Sequence, residues 1–373
     1  MRYRRFGKTN LYLSVFSLGT MRYLASADCA RQTIEKAYAC GINHFETARG
    51  YGKSEEYLGA ALASLPIERS QIYITTKISP TVDADSMSCY IDESLQRLQL
   101  DYIDCLAMHG INTWEHLKQL LGKGCMSAVQ AAVKAGKVKH VGFSTHGSLE
   151  LITEAIATGL FEFVNLHYYY FFQRHAAALE LAKTKDMGIF IISPADKGGK
   201  LYNPPQKLTD LCYPLTPLEL NYRFLLSDPR ITTLSVGAAK AEELIEPLKQ
   251  CDRTEPLNPT EIAAFQRLEA QLTTIEPQKC SQCYACLPCP ENINIPEILR
   301  LRNLADAYDL SDYSNYRYTM LENAGHWFPG NKGDRCTSCG DCLPRCPEQL
   351  DIPALLADAH QKLNGSPRRR LWE

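Results

Sequence analysis

The sequence predicts an α/β protein: a (β/α)8 barrel of the TIM type followed by a smaller, mainly α-helical domain. Three observations lead to it. Eight short runs rich in β-branched and aromatic residues recur through the first 240 residues, with starts 25 to 43 residues apart. Amphipathic stretches with helix start and stop signals lie between them. Eight of the 15 cysteines fall in the last 94 residues, in two groups of four.

In chain order, residues 2–14 read as a hairpin turning at Gly7-Lys8-Thr9-Asn10. The strands follow at 16–20, 44–48, 72–78, 103–109, 138–145, 163–169, 188–194 and 231–237. Helices are expected at 28–40, stopped by Gly41, at 54–65, at 83–98 with Asp83 as cap, and at 114–135, stopped by Gly136. Strands this apolar are covered on both faces, and eight strand–helix units close a barrel. A doubly wound sheet is the alternative, but no G-x-G-x-x-G follows any strand. Pro256 to Pro259 marks a boundary, with a helix at 260–275 beyond it. The expected domains are a barrel over 1–255, a connecting helix within 256–279, and a cysteine-rich domain over 280–373.

Composition removes several function classes. The net charge is −2 over 373 residues, so no broad field favours nucleic acid or an anionic membrane. The one basic run, Arg368-Arg369-Arg370, reads as a solvated terminus. No window approaches the ~20 apolar residues of a membrane span. Residues 1–10 lack the apolar stretch of a signal peptide. An odd cysteine count without an export signal argues against a disulfide framework and for a reducing, cytoplasmic setting.

The cysteine groups are Cys280-x2-Cys283-x2-Cys286-x2-Cys289-Pro290 and Cys336-x2-Cys339-x2-Cys342-x3-Cys346-Pro347. Two-residue gaps let one tight loop reach three corners of a [4Fe–4S] cube. Each run resembles the bacterial ferredoxin pattern, in which the fourth cysteine serves the other cluster. That resemblance implies two [4Fe–4S] clusters: one on Cys280, Cys283, Cys286 and Cys346, the other on Cys336, Cys339, Cys342 and Cys289. Residues 289–299 and 346–356 match at six of eleven positions at an offset of 57, an internal repeat. Pro296 and Pro353 suit first helical positions, so each loop should feed a helix, the first over 297–308. The 46 residues between the groups make the domain similar to the α-helical ferredoxin-like type. Zinc is the alternative, but zinc sites usually use two Cys-x2-Cys pairs.

Catalysis in such barrels sits at the C-terminal ends of strands. There the second strand presents Glu46, with Tyr51 in its loop, the third presents Lys77, and the fourth presents His109. Phe45-Glu-Thr-Ala-Arg-Gly-Tyr-Gly-Lys-Ser-Glu55 resembles the F-D-T-A-x-x-Y-G-x-S-E stretch of the aldo-keto reductases. Tyr3-Arg-Arg-Phe-Gly-Lys-Thr-Asn-Leu11 and Leu18-Gly-Thr-Met21 are similar to that family's N-terminus. The resemblance runs from residue 1 to about 250, and the cysteine-rich tail is similar to an iron–sulfur branch of the family.

The resemblance implies an NAD(P)-dependent oxidoreductase acting between a carbonyl and an alcohol, with the tetrad Glu46, Tyr51, Lys77 and His109. A free tyrosine, with a pKa of about 10, is a sluggish acid at neutral pH, and a nearby ammonium favours its phenolate. Lys77 supplies that charge, Glu46 holds Lys77, Tyr51 exchanges the proton and His109 orients the substrate. The family's aspartate is Glu46 here, one methylene longer, so the Lys77 contact must be reset.

The implied cofactor residues depart from the family pattern. Ser144 is kept, Thr145 replaces an asparagine, Asn165 stands for a glutamine, and Ser193 lies where a tyrosine often stacks. After the eighth strand, Gly237 permits close approach to a phosphate, while Glu242 and Glu243 oppose a 2′-phosphate and Lys240 offers a compensating cation. NADP, NAD and a degenerate site all remain open. Tyr168 to Phe172 suggests an aromatic wall, half of it core, and Asp196-Lys-Gly-Gly-Lys200 a pyrophosphate-side loop. Three functional readings stand: a reductase coupled through its clusters to a ferredoxin-type carrier, an electron-transfer or redox-sensing protein whose nicotinamide site has decayed, or a conventional reductase whose clusters only brace the tail.

Overall fold

The structure is a computed structural model that describes residues 1–122, 124–195, 200–276 and 278–367. Asp196 to Gly199 and the Arg368–Arg370 run therefore lie outside the described residues. The chain divides into two compact units, Met1–Pro194 with Asn221–Pro256, and Ala195–Leu220 with Leu257–Glu373.

The first unit is a closed barrel of eight parallel strands in sequential order. They are Phe16–Gly19, His44–Glu46, Tyr73–Ile78, Ile103–Met108, Val138–Ser144, Phe163–Leu166, Gly188–Ile191 and Thr233–Val236. Seven of them end one to three residues earlier than the apolar runs suggest. At the second strand the reason is visible: the ladder closes at Glu46, yet Thr47 and Arg49 still donate to the carbonyls of Thr75 and Lys77, at 2.8 and 3.0 Å. The apolar run continues into the rim loop as ordered but non-strand chain.

The hairpin Tyr3–Arg5 with Tyr12–Ser14 is antiparallel, and Phe6 beside it enters the bottom of the barrel. There Phe6 packs on Phe163 with ring centroids 5.2 Å apart, among Leu13, Cys105, Ala107 and Phe190. Gly188 is required for this plug, since a Cβ would lie 2.3 Å from the Phe6 ring. Above the plug is a polar layer. Ser17 Oγ lies 2.6 Å from both His44 Nδ1 and Thr233 Oγ1, and His44 Nε2 lies 2.7 Å from Thr75 Oγ1. Burial, helped by the Lys77 charge, pushes His44 down to about 3, so the layer is neutral.

One helix differs from expectation. The stretch 114–135 forms two helices, Trp114–Gly122 and Cys125–Lys134, because Gly124 takes a left-handed backbone at φ +77°. Asp83 does cap the helix Ala84–Leu98, accepting from the Ser86 amide at 2.7 Å.

The second unit holds the helices Gln206–Cys212, Pro259–Thr273, Ile295–Tyr308, Ser311–Tyr318 and Ile352–Leu363. Asn258 and Glu261 form a reciprocal capping box at the start of the second of these, with bonds of 3.0 and 2.9 Å. Tyr308 Oη donates to the Leu268 carbonyl at 2.9 Å, which ties that helix to Ile295–Tyr308. Pro296 and Pro353 occupy the first turns of their helices. No helix among the described residues is long and apolar enough to cross a membrane.

Candidate functional site

The barrel rim gathers the four tetrad positions. Lys77 and Glu46 form a direct ion pair between side chains only 2% and 5% exposed. Lys77 Nζ also donates to the Thr47 carbonyl at 2.8 Å. Burial pushes the Lys77 ammonium below the ordinary lysine range, and Glu46 opposes that shift. The longer glutamate therefore still reaches the lysine. Lys77 Nζ stands 4.7 Å from the centroid of the Tyr51 ring. Tyr51 meets His109 edge to face, with centroids 5.6 Å apart and planes at 83°. A cation, a phenol and an imidazole thus adjoin on one rim, the tyrosine and histidine half-buried.

The loop that carries Tyr51 is held from below by residues not foreseen from the sequence. Ser54 Oγ lies 2.6 Å from Thr20 Oγ1 and 2.8 Å from Thr47 Oγ1, joining the loops after the first two strands. Glu55 is buried and accepts from Thr76 Oγ1 at 2.6 Å and Arg97 Nη1 at 3.4 Å. These two residues are part of the Tyr-Gly-Lys-Ser-Glu motif, which was their only sequence signal.

The nicotinamide candidates divide by how their polar atoms are engaged. Ser144 Oγ accepts from the Gly110 amide at 3.0 Å, which fixes the turn after His109. Thr145 Oγ1 is engaged twice, donating to the Ile111 carbonyl at 2.7 Å and accepting from Gly147 N at 2.9 Å. Asn165 is fully buried; its Nδ2 donates to Glu46 Oε1 at 3.3 Å, and its Oδ1 has no partner among the described residues. A buried carbonyl oxygen without a donor is costly unless something fills it. A carboxamide NH2 is such a donor, so the residues present fit a nicotinamide.

Ser193 adopts a left-handed backbone at φ +50°, and Lys240 is exposed beyond the eighth strand. Neither hydrogen-bonds to Ser144, Thr145 or Asn165 among the described residues. Near Gly237 the charge balance changes. Arg22, from the loop after the first strand, donates to the Gly237 carbonyl at 2.7 Å and to Glu243 Oε2 at 2.9 Å. Of the two carboxylates that the sequence set against a 2′-phosphate, Glu243 is thus paired, while Glu242 is exposed. Of the aromatic run, Tyr168 and Tyr169 are buried in succession and Tyr170 to Phe172 are half-buried. Strand alternation fails because the strand ends at Leu166.

In the second unit the cysteines surround two cavities. One is lined by Cys280, Cys283, Cys286 and Cys346, with Pro296, Leu299, Leu350 and Ile352. The other is lined by Cys336, Cys339, Cys342 and Cys289, with Pro353, Leu356, Ile293 and Ile295. Each last cysteine faces the other group's cavity, and the apolar walls repeat residue for residue. The backbone repeats as well: Gln282 and Ser338, Tyr284 and Gly340, and Asn292 and Gln349 all have positive φ at matching positions.

Among the described residues, no three His, Cys, Asp or Glu side chains converge on a single-ion site. A cube spreads its four ligands around a cavity, which is the arrangement present. Burial, reinforced by neighbouring cysteines, pushes Cys280 up to about 11 and Cys286 up to about 12. Ligation must therefore displace protons from these thiols.

Residues 16–270 match the family model described as the aldo/keto reductase family, and residues 279–350 match that of a 4Fe-4S dicluster domain. L-galactose dehydrogenase of Arabidopsis thaliana is 30% identical over 213 residues, 52% of this chain and 66% of that enzyme. The match thus spans just under two thirds of the plant protein. An uncharacterized oxidoreductase of Bacillus subtilis, YrpG, is 24% identical over 67% of this chain and 90% of its own. Among solved structures, the holo form of aldo-keto reductase AKR11C1 from Bacillus halodurans superposes with a TM-score of 0.63 at 20% identity, over 72% of this chain and 96% of its own.

Proposed function

Since the chain belongs to the aldo/keto reductase family and is an oxidoreductase with a 4Fe-4S ferredoxin-like domain, we propose that it interconverts a carbonyl and an alcohol with NAD(P)(H). We further propose that this chemistry exchanges electrons with two [4Fe–4S] clusters, on Cys280, Cys283, Cys286 and Cys346 and on Cys336, Cys339, Cys342 and Cys289. The observation that carries the reading is the buried Glu46–Lys77 pair beside Tyr51 and His109.

In the reducing direction Tyr51 Oη gives a proton to the carbonyl oxygen. The Lys77 ammonium stabilises the phenolate left behind, and Glu46 keeps that ammonium charged and in place despite its burial. His109 donates a hydrogen bond that orients the carbonyl. Asn165 Oδ1, with Ser144, would accept from the carboxamide NH2 of a bound dinucleotide. At the Gly237 corner Arg22 offsets the charge of Glu243, and Lys240 is a formal counter-charge to Glu242, so this reading admits NADP and NAD. When bound, the nicotinamide supplies or takes hydride and the iron–sulfur groups carry single electrons. A ferredoxin-type carrier is the partner this chemistry calls for.

The engaged Thr145 hydroxyl favours a second reading, an electron-transfer or redox-sensing protein with a degenerate nicotinamide site. Anaerobic titration with NADH and NADPH, following the visible cluster absorbance, separates the two. Bleaching by either nucleotide supports the coupled enzyme; absence of nucleotide binding removes it and leaves the second reading.

A further inference from the structure

The two cysteine loops are near-duplicates, so the residues that break the duplication mark what their cavities do not share. The first group closes with Cys286-Leu-Pro-Cys289 and the second with Cys342-Leu-Pro-Arg-Cys346. The extra residue of the longer gap is Arg345. Its Nη2 donates to the Pro288 carbonyl at 3.0 Å and its Nε to the Asp341 carbonyl at 2.9 Å. Pro288 sits between Cys286 and Cys289, which face different cavities, so Arg345 pins the strap that crosses from one to the other.

Arg345 lines the cavity of Cys289, Cys336, Cys339 and Cys342 but not the other. Both its hydrogen bonds go to main-chain carbonyls, and it makes no ion pair among the described residues. The wall glutamates repeat, Glu291 at one cavity and Glu348 at the other. Two wall charges do not repeat: Arg345, and Asp341, which stands opposite Ala285 in the duplication. The Asp341 side chain is exposed, where water screens it, whereas Arg345 is half-buried.

We infer that Arg345 raises the reduction potential of the second cluster above that of the first. The inference rests on the proposed assignment of the eight cysteines to two [4Fe–4S] clusters. One-electron reduction adds a negative charge to a cluster, and a nearby cation stabilises that reduced form. Oxidation of hydride releases a proton to solvent and two electrons, and each cluster takes one electron. Unequal potentials order the pair: the first electron settles on the second cluster, the other on the first.

The test uses the full chain, purified anaerobically, with iron and sulfide counted, then reduced stepwise with dithionite and followed by electron paramagnetic resonance. Wild type is expected to carry eight irons and two resolved one-electron couples. Arg345→Gln should keep eight irons and shift the more positive couple downward about tenfold in its equilibrium constant, 59 mV for one electron, with the other couple moved less. Arg345→Lys, which keeps the charge and loses the fork, should hold that couple near wild type. An iron-replete Arg345→Gln whose more positive couple stays put, or whose two couples move equally, overturns the inference. If Arg345→Gln loses iron, Arg345→Lys decides: an unshifted couple supports the role of the charge and a shifted one refutes it. Fewer than eight irons in wild type would instead remove the cluster assignment.

Discussion

Glu46→Gln is the sharpest test of the barrel rim, because it removes one charge from a buried pair while keeping its size. Lys77 would retain the Thr47 carbonyl and lose its ion pair, keeping only the weaker influence of the Glu55 charge among the described residues. Removing one partner of a buried pair typically costs about 3–5 kcal/mol. An independent ceiling comes from deprotonation: shedding a lysine proton at pH 7 from an ordinary pKa of about 10.4 costs roughly 4.6 kcal/mol. The retained carbonyl and the new amide oxygen return about 1 kcal/mol. The expected loss is therefore about 3 kcal/mol at pH 7.

The sign of the pH dependence is fixed by the same reasoning. In the variant, Lys77 is neutral when folded and charged when unfolded, so the unfolded chain binds more protons and stability rises with pH. The deficit should shrink by about 1.4 kcal/mol per unit between pH 7 and the unfolded lysine pKa. Guanidinium unfolding followed by near-ultraviolet dichroism at pH 7 and 9 reads both quantities. A deficit below about 1 kcal/mol, or one that does not change with pH, would refute the claim that Glu46 holds Lys77 charged. Carbonyl turnover should fall with the charge, on the order of 10²–10⁴-fold.

Other expectations follow from single contacts. Tyr51→Phe should lower carbonyl turnover by on the order of 10²–10⁴-fold with nucleotide affinity kept; surviving turnover would move the acid elsewhere. Asn165→Ala should weaken nucleotide binding by roughly tenfold in calorimetric titration, since a buried acceptor of about 1–1.5 kcal/mol is lost. His44 binds a proton near 6.5 when unfolded but only at about 3 when folded, so this residue makes stability fall as pH drops between those values. Its ring resonances should therefore not titrate between pH 5 and 8. Cys346→Ser should remove the cluster of the Cys280 group and spare that of its own group; loss of the Cys336 group's signal instead would refute the crossed ligation.

Much of the barrel was legible from period and spacing. Each strand is a local apolar run between turn residues, and closure in sequential order follows from repeating one unit eight times. Asp83 was readable as a cap because its partner, Ser86, lies three residues on. The break at Gly124 was not, because the apolar periodicity of 114–135 runs through it and masks the turn. Helix Pro259–Thr273 could not be assigned to either domain from sequence, since its capping box is local while its packing against Ile295–Tyr308 is not.

By itself the sequence determined the barrel, the convergence of Glu46, Tyr51, Lys77 and His109 on one rim, and the eight cysteines in two repeating groups. Those features rest on neighbours, on strand ends, or on spacing that a loop must satisfy locally. Tertiary structure alone decided how individual polar atoms are engaged. It brought Arg22 to Glu243 across 221 residues, engaged the Thr145 hydroxyl, and left Asn165 Oδ1 without a donor among the described residues. It also set the one inserted residue, Arg345, against Pro288 across the two loops. The physical reason is the same in each case: hydrogen bonds and charge pairs depend on ångström distances between segments far apart in the chain, and no periodicity in the sequence records them.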